Sequence, residues 1–310
     1  METTASRNHL RLILIIAAVA LLAVTAVLVL VCAPYFREEP EVPTEAIIVT
    51  DPPTEPPTDP PTEPPTEAPT EEPTLPPPED NPYTTESFYY DGRFLTLKEG
   101  DSWPGIDVSR WQYDIDWEKV AAAGAKFAMI RIGYRGIESG LLNMDPYAYQ
   151  NLNGAAEAGL EIGVYFFSQA LTREEAEAEA YFVMDAIADY EITMPVVFDW
   201  ERSREEGSRS ANMDRRTLTD CAKTFLETIE MAGYDAMIYF NPFMSRNLLY
   251  LSELKEYDFW LASYAEEMDF PYKFKMWQYT ESGSIPGVDG ACDFNIYFPD
   301  QSDYERTGVS

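Results

Sequence analysis

The stretch PVVFDWE, residues 195–201, ends a run of buried-strand residues with two carboxylates, Asp199 and Glu201, separated by one tryptophan. On an extended chain residues i and i+2 face the same side, about 6.6 Å apart at roughly 3.3 Å per residue, so the two acids converge. Neighbouring carboxylates do not ionise equally. The charge of one raises the pKa of the other, and a partly desolvated Glu keeps its proton near neutral pH. That combination is what a general acid for a glycosidic oxygen requires. Taken alone, a D-x-E at a strand exit equally describes two solvated acids. Two further acids sit in comparable places, Asp107 in GIDVS and Asp293 in CDFN. Tyr165, Phe167, Trp200, Tyr239, Trp260, Trp277 and Tyr279 lie in or near the same apolar runs. Sugar rings stack their C–H faces on aromatics and hydrogen-bond their hydroxyls to acids, although core filling accounts for any one of these rings as well.

Other chemistries are excluded by composition. The only histidine is His9, far upstream, so neither a His-dependent triad nor a His-ligated zinc site is available to these acids. Cys32, Cys221 and Cys292 form no C-x-x-C pair and no disulfide-scaffold spacing, and buried free thiols are expected for the last two. The formal net charge is −32, from 54 acidic and 22 basic residues, with no Lys/Arg cluster, which argues against nucleic acid as a partner.

The elements that must position the acids follow from the texture beyond about Ser102, where short apolar runs alternate with amphipathic, Ala/Glu-rich stretches. Strands are expected at 105–109, 127–132, 161–168, 195–200, 236–240, 258–264, 273–279 and 292–298. Helices are expected at 116–124, 145–159, 172–190, opened by a Thr172–Glu175 capping box, and 214–232, closed by Gly233. After the fifth strand the gaps become too short for full helices. Eight strands with a thinning helical ring predict a modified TIM-like β/α barrel lacking helices in its C-terminal third, with the chemistry at the C-terminal strand ends.

Upstream the texture differs twice. Residues 12–33, LILIIAAVALLAVTAVLVLVCA, are 22 residues without a charge, enough to cross a hydrocarbon core of about 30 Å as a transmembrane helix. A cleavable signal peptide would have a shorter apolar core of about 7–15 residues. Arg7 and Arg11 before the span and Glu38, Glu39 and Glu41 after it place residues 1–11 in the cytoplasm and the rest outside. Residues 52–78 carry 13 of the 24 prolines in a PPTE/PPTD repeat. This composition predicts a disordered, extended stalk reaching about 80 Å at roughly 3.1 Å per residue. The expected organisation is therefore a cytoplasmic segment 1–11, a signal anchor 12–33, an extracellular Pro/Thr/Glu linker 34–96 and a folded barrel 97–310 outside the membrane, expected to be monomeric.

The ordered motifs GIDVSRWQ, IRIGYRG, IGVYFFS, PVVFDWE, IYFNP, FWLASY, KMWQYT and GVDGACDFNIY, spanning about 103–298, closely resemble family 25 of the glycoside hydrolases, the lysozyme-type N-acetylmuramidases. The resemblance implies a barrel with missing late helices and cofactor-free cleavage of the β-1,4 bond between N-acetylmuramic acid and N-acetylglucosamine in peptidoglycan. It implies Glu201 as general acid, Asp199 as its acidic partner, Asp107 and Asp293 as the other two acids, and Tyr165, Trp277 and Gln278 as cleft residues. Asp199 is either a nucleophile or the anion that orients the substrate's 2-acetamido group, and the D-x-E on one strand favours the second. Phe167 stands where many members have histidine. A barrel that binds the wall without turnover, and a chitin-like substrate, are the competing readings.

Overall fold

A computed structural model of the chain describes residues 75–203 and 205–308. The expected transmembrane helix at 12–33 and most of the expected linker lie outside these residues, and among the described residues no helix is long and apolar enough to cross a membrane.

Eleven strands form among the described residues. A two-stranded hairpin, β1 (Phe88–Asp91) and β2 (Phe94–Leu97), precedes the main sheet. The barrel is built by β3 (Trp103–Val108), β4 (Phe127–Arg135), β6 (Glu161–Ser168), β7 (Val196–Trp200), β8 (Ala236–Phe240), β9 (Asp258–Ala262), β10 (Met276–Gly283) and β11 (Cys292–Tyr297), and a short β5 (Leu142–Met144) adds to the edge of β4. It closes because β3 pairs with β4 on one side and β11 on the other. The eight expected strands are all present. One difference matters for function: β11 runs antiparallel to both β10 and β3, whereas the other barrel pairings are parallel. A short β10–β11 connection has no room for a crossover helix, and antiparallel pairing is the solution that needs none.

Helices α1 (Trp117–Ala122), α2 (Ala148–Glu157), α3 (Arg173–Ile187) and α4 (Arg215–Met231) fall inside the spans expected from sequence. Thr172 caps α3 by accepting from Glu175 N at 3.2 Å, but the Glu175 carboxylate accepts from Leu171 N at 2.8 Å, one residue before the expected partner. After β8 only α5 (Pro242–Asn247) and a single 3-10 turn follow, and α6 (Gln301–Thr307) closes the described chain.

The place of the missing helices is taken from upstream. Residues 79–97, assigned on composition mainly to the linker, cover the outside of β10 and β11. Asp80 bridges Tyr272, Lys273 N donates to Glu79 O, Phe88 packs edge-on against Trp277 at 5.2 Å, and Phe94 lies 5.0 Å from Phe294. Phe88, Phe94 and Leu95 are buried. The composition change near Ser102 therefore falls inside the folded unit: once the Pro repeat ends, Tyr83, Phe88, Phe94 and Leu95 carry enough apolar surface to order the segment against an otherwise bare barrel face.

Strand alternation sorts the core into two sets. Ile106, Val164, Phe198, Ile238, Leu261 and Ile296 point out toward the helices, and Trp103, Phe127, Met129, Val197, Met237, Met276 and Tyr297 fill the interior. The interior needs space as well as bulk. A Cβ on Gly105 would lie 2.4 Å from the Phe127 ring, so glycine in GIDVS makes room for the neighbouring strand's phenylalanine. Cys221 and Cys292 are buried free thiols.

Candidate active site

Moving up the barrel interior, the inward positions change from apolar to polar. On β3 the series Trp103, Gly105, Asp107 ends in an acid, and on β7 Val197 is followed by Asp199 and, with the same parity, Glu201. Asp293 reaches the same mouth from the opposite direction. It is the second residue of antiparallel β11, directly opposite Asp107 in register. All four predicted acids line one cleft of ≈ 930 Å³, together with Tyr165, Phe167, Tyr239, Trp260 and Gln278.

Three of the rings proposed from sequence, one of them also assigned to the cleft by resemblance, lie elsewhere. Trp277 sits one residue out of phase with inward-facing Met276 and Gln278, so its indole faces the β1–β2 hairpin, with Nε1 donating to Ser263 O at 2.8 Å. Tyr279 shares that outer face, its hydroxyl oxygen accepting from Leu95 N at 3.1 Å, and Trp200 is buried among the outer apolar residues. The type of residue, aromatic near a strand end, was right for a cleft, and strand parity put these three on the other side.

The cleft floor is a single hydrogen-bond network centred on Asp107. Its Oδ2 accepts from Gln278 Nε2 and from Asn295 Nδ2, both at 2.8 Å. Gln278 Oε1 in turn accepts from the hydroxyls of Tyr239 at 3.1 Å and Tyr264 at 2.6 Å, and Asn295 Oδ1 accepts from Trp260 Nε1 at 2.9 Å. Each amide spends its donor on the carboxylate and its acceptor on aromatic hydroxyl or indole groups, which fixes both amide orientations.

The electrostatics follow from burial and crowding. Asp107 is raised by burial against the pull of Asn295, Gln278 and Asp293. Asp293 is pushed up to about 9, by burial first and then by the Asp107 charge, so it is the member of this pair that holds a proton and donates it toward Asp107. Asp199, 5 % exposed, is raised well above the carboxylate range by burial, then by Glu201 and Asp107, with Arg131 opposing. Glu201 stands open at the mouth, yet it too is raised, by partial desolvation against the cleft wall and then by Asp107 and Glu281. The crowded acids resist carrying a full set of negative charges, and Asp199 Oδ1 has no hydrogen-bond partner although it is buried.

Several cleft residues were not singled out from sequence. Arg131 lies inward on β4 and is locked by Asp145, with Nε donating to Oδ2 at 2.8 Å. A bulge in the β4–β6 pairing between Arg131 and Gly133 then turns Tyr134 back toward the cleft beside Phe167. Arg110, Trp111, Tyr264 and Glu281 complete the walls. Arg131 and Tyr264 were findable by continuing the inward parity of IRIGYRG and FWLASY, whereas the bulge that aims Tyr134 leaves no local signature.

Comparison with known proteins agrees with this architecture. The model of glycosyl hydrolases family 25 matches residues 106–288, more than half of the chain, and stops short of Asp293. The chain is 29% identical over 198 residues to the uncharacterized protein YegX of Escherichia coli (strain K12), covering 62% of this chain and 68% of that protein. It is 25% identical over 195 residues to the autolytic lysozyme of Clostridium acetobutylicum, covering 62% of this chain and 55% of that protein. In fold it is similar to the modular autolysin LytC from Streptococcus pneumoniae, solved in complex with a synthetic peptidoglycan ligand, with a TM-score of 0.59 at 22% identity over 68% of this chain and 52% of that one. The chain thus spans about half the length of these last two. With a family match over most of its barrel and the barrel itself closed as described, the chain belongs to family 25 of the glycosyl hydrolases.

Proposed function

We propose that the protein is a peptidoglycan hydrolase that cleaves the β-1,4 bond between N-acetylmuramic acid and N-acetylglucosamine, with Glu201 as general acid. The observation that carries this is the unequal setting of the two acids on one strand: Glu201 is open to the cleft with a raised pKa, and Asp199 is buried beside it with a free carboxylate oxygen. Protonated Glu201 delivers its proton to the glycosidic oxygen as the bond to C1 breaks. The 2-acetamido carbonyl oxygen of the substrate attacks C1, and Asp199 accepts the acetamide N–H through its unpartnered oxygen, offsetting the positive charge of the oxazolinium. Water then opens this ring, giving its proton to the Glu201 carboxylate. A direct attack by Asp199 on C1 is less favoured, because muramic acid carries its own acetamide nucleophile and a D-x-E on one strand resembles other substrate-assisted glycosidases.

Tyr165, Phe167, Tyr239 and Trp260 line the same cleft and supply apolar faces for the sugar rings. The apolar span at 12–33 supports tethering to the cell's own membrane with the barrel outside, and the Pro/Thr/Glu repeat supports a spacer between them.

The test is release of reducing ends from purified peptidoglycan by the full chain and by Glu201→Gln. Because the Glu201 side chain is exposed, the variant should fold as the parent does, and activity should fall about 10²–10⁴-fold. Activity should also decline as the pH rises through the raised Glu201 pKa, a limb absent from the variant's residual rate. An undiminished variant overturns the assignment of the acid. Binding to insoluble peptidoglycan with no soluble product from the parent overturns the enzyme reading in favour of a wall-binding barrel.

A further inference from the structure

The cleft is unusually anionic for a site that takes an acidic polymer. Beyond the four predicted acids, Glu138, Glu205 and Glu281 line its walls, against three arginines. Two of those arginines are neutralised within the protein: Arg131 pairs with Asp145 at 2.7 Å, and Arg135 with Glu179 at 2.6 Å. Arg110 is the cation lining the cleft that no carboxylate pairs among the described residues.

Its guanidinium is nevertheless held in place. The carbon at its centre lies 4.5 Å over the Trp111 ring and 5.4 Å from the Tyr134 ring, and Nη1 reaches the Tyr134 hydroxyl at 3.4 Å. The backbone beneath is fixed as well. Arg110 N donates to buried Asp145 Oδ2 at 3.0 Å, and Ser109 and Gln112 cap the single turn that carries the arginine. An aromatic sandwich orients a guanidinium while using few of its N–H groups, so most of the fork remains available for a planar anion.

We propose that Arg110 is a specificity-determining residue that binds a carboxylate carried by the substrate sugar. This rests on the muramidase reading. In peptidoglycan the carboxylate is either that of the lactyl ether of muramic acid, where the peptide has been removed, or one of the stem peptide. A neutral N-acetylglucosamine polymer offers neither. Without Arg110 such a substrate would meet a cleft of one sign, and with it the anionic sugar has one register in which its charge is compensated.

The experiment compares the full chain with Arg110→Gln, and with Lys223→Gln as a control for net charge on the outer face of α4. Three glycan strands are used: strands bearing stem peptides, strands stripped of peptide, and stripped strands whose carboxyl groups have been converted to neutral amides. Loss of a hydrogen-bonded charge pair should raise the KM of Arg110→Gln about 10- to 100-fold on the carboxylate-bearing strand that Arg110 reads, with kcat within about threefold. The two carboxylate-bearing arms distinguish the lactyl from the peptide source. On the amidated strand parent and variant should be alike. An equal penalty on the amidated strand, or no penalty on any strand, overturns the proposal, and so does an equal effect of Lys223→Gln. If the parent releases no reducing ends from any strand, the muramidase reading has failed by itself, and calorimetric binding of the same three strands then reads Arg110 by the same pattern in Kd.

Discussion

Replacing Asp107 by alanine tests whether the cleft floor is held by one carboxylate. The side chain is buried, and its Oδ2 satisfies two amide donors, Gln278 Nε2 and Asn295 Nδ2, both 2.8 Å away. Gln278 is 3 % exposed and Asn295 0 %, so neither amide can turn to water when the acceptor is removed. An unsatisfied buried donor costs about 1–3 kcal/mol, giving about 2–6 kcal/mol for the pair. Removing a desolvated acid that repels Asp199 and Asp293 returns part of this, and the net loss expected is about 2–4 kcal/mol. Asp107→Asn is the informative partner. It keeps an oxygen for the two amides and turns an N–H toward Asp293, so its loss should stay below about 1.5 kcal/mol. Urea unfolding at neutral pH with an unchanged slope measures both. Equal losses in the two variants, or an alanine variant within about 0.5 kcal/mol of the parent, would refute the view that Asp107 organises the floor. The pH dependence gives an independent check. Asp293, held at about 9 beside Asp107, has a folded pKa above its unfolded value near 3.8, so its contribution is complete below about 3.8 and is lost as pH rises through about 9. Taking away the Asp107 charge lowers the Asp293 pKa and flattens that decline in both variants.

Two further outcomes follow from packing away from the acids. Trp277→Ala removes a buried indole that faces the β1–β2 hairpin, and should cost about 3–5 kcal/mol in urea unfolding, with any change in KM on peptidoglycan accompanied by that loss of stability. A raised KM without loss of stability would place the ring in the cleft after all. Arg135→Met strips Glu179 of its partner at 2.6 Å and should cost about 3–5 kcal/mol at pH 8. Burial already pushes Glu179 up to about 7, above its unfolded value, so stability is lost as pH rises through that range and the variant should be less impaired at pH 5 than at pH 8. A loss independent of pH would mean that Glu179 does not carry the uncompensated charge.

What the sequence disclosed about this site, and what it withheld, divides along a physical line. Period-2 alternation is local, so the strands, the convergence of Asp199 with Glu201 and the inward placing of Tyr165, Phe167, Tyr239 and Trp260 could all be read from spacing or from the motifs around it. Parity also keeps Trp277 out of the cleft: with Gln278 inward, its neighbour must face out, so the two cannot both line it. The direction of β11 is different in kind. Nothing within CDFNIY distinguishes a parallel from an antiparallel strand, because direction is set by how much chain is available to cross back. Only that reversal explains why an acid at the start of its strand meets Asp107, which lies near the end of its own.

The covering of β10 and β11 follows the same logic at longer range. A barrel strand without a crossover helix exposes an apolar outer face, here Trp277, Tyr279, Phe294 and Ile296, that some other segment must bury. The strength of that demand was visible in the aromatic content of KMWQY and CDFNIYF, but its supplier lay 190 or so residues earlier in a stretch read as linker because prolines precede it. Loosening Phe88 or Phe94 from Trp277 and Phe294 should therefore disturb the floor of the cleft before it disturbs β6 and β7, since β10 holds Gln278 and β11 holds Asn295, the two amides on which the Asp107 carboxylate depends.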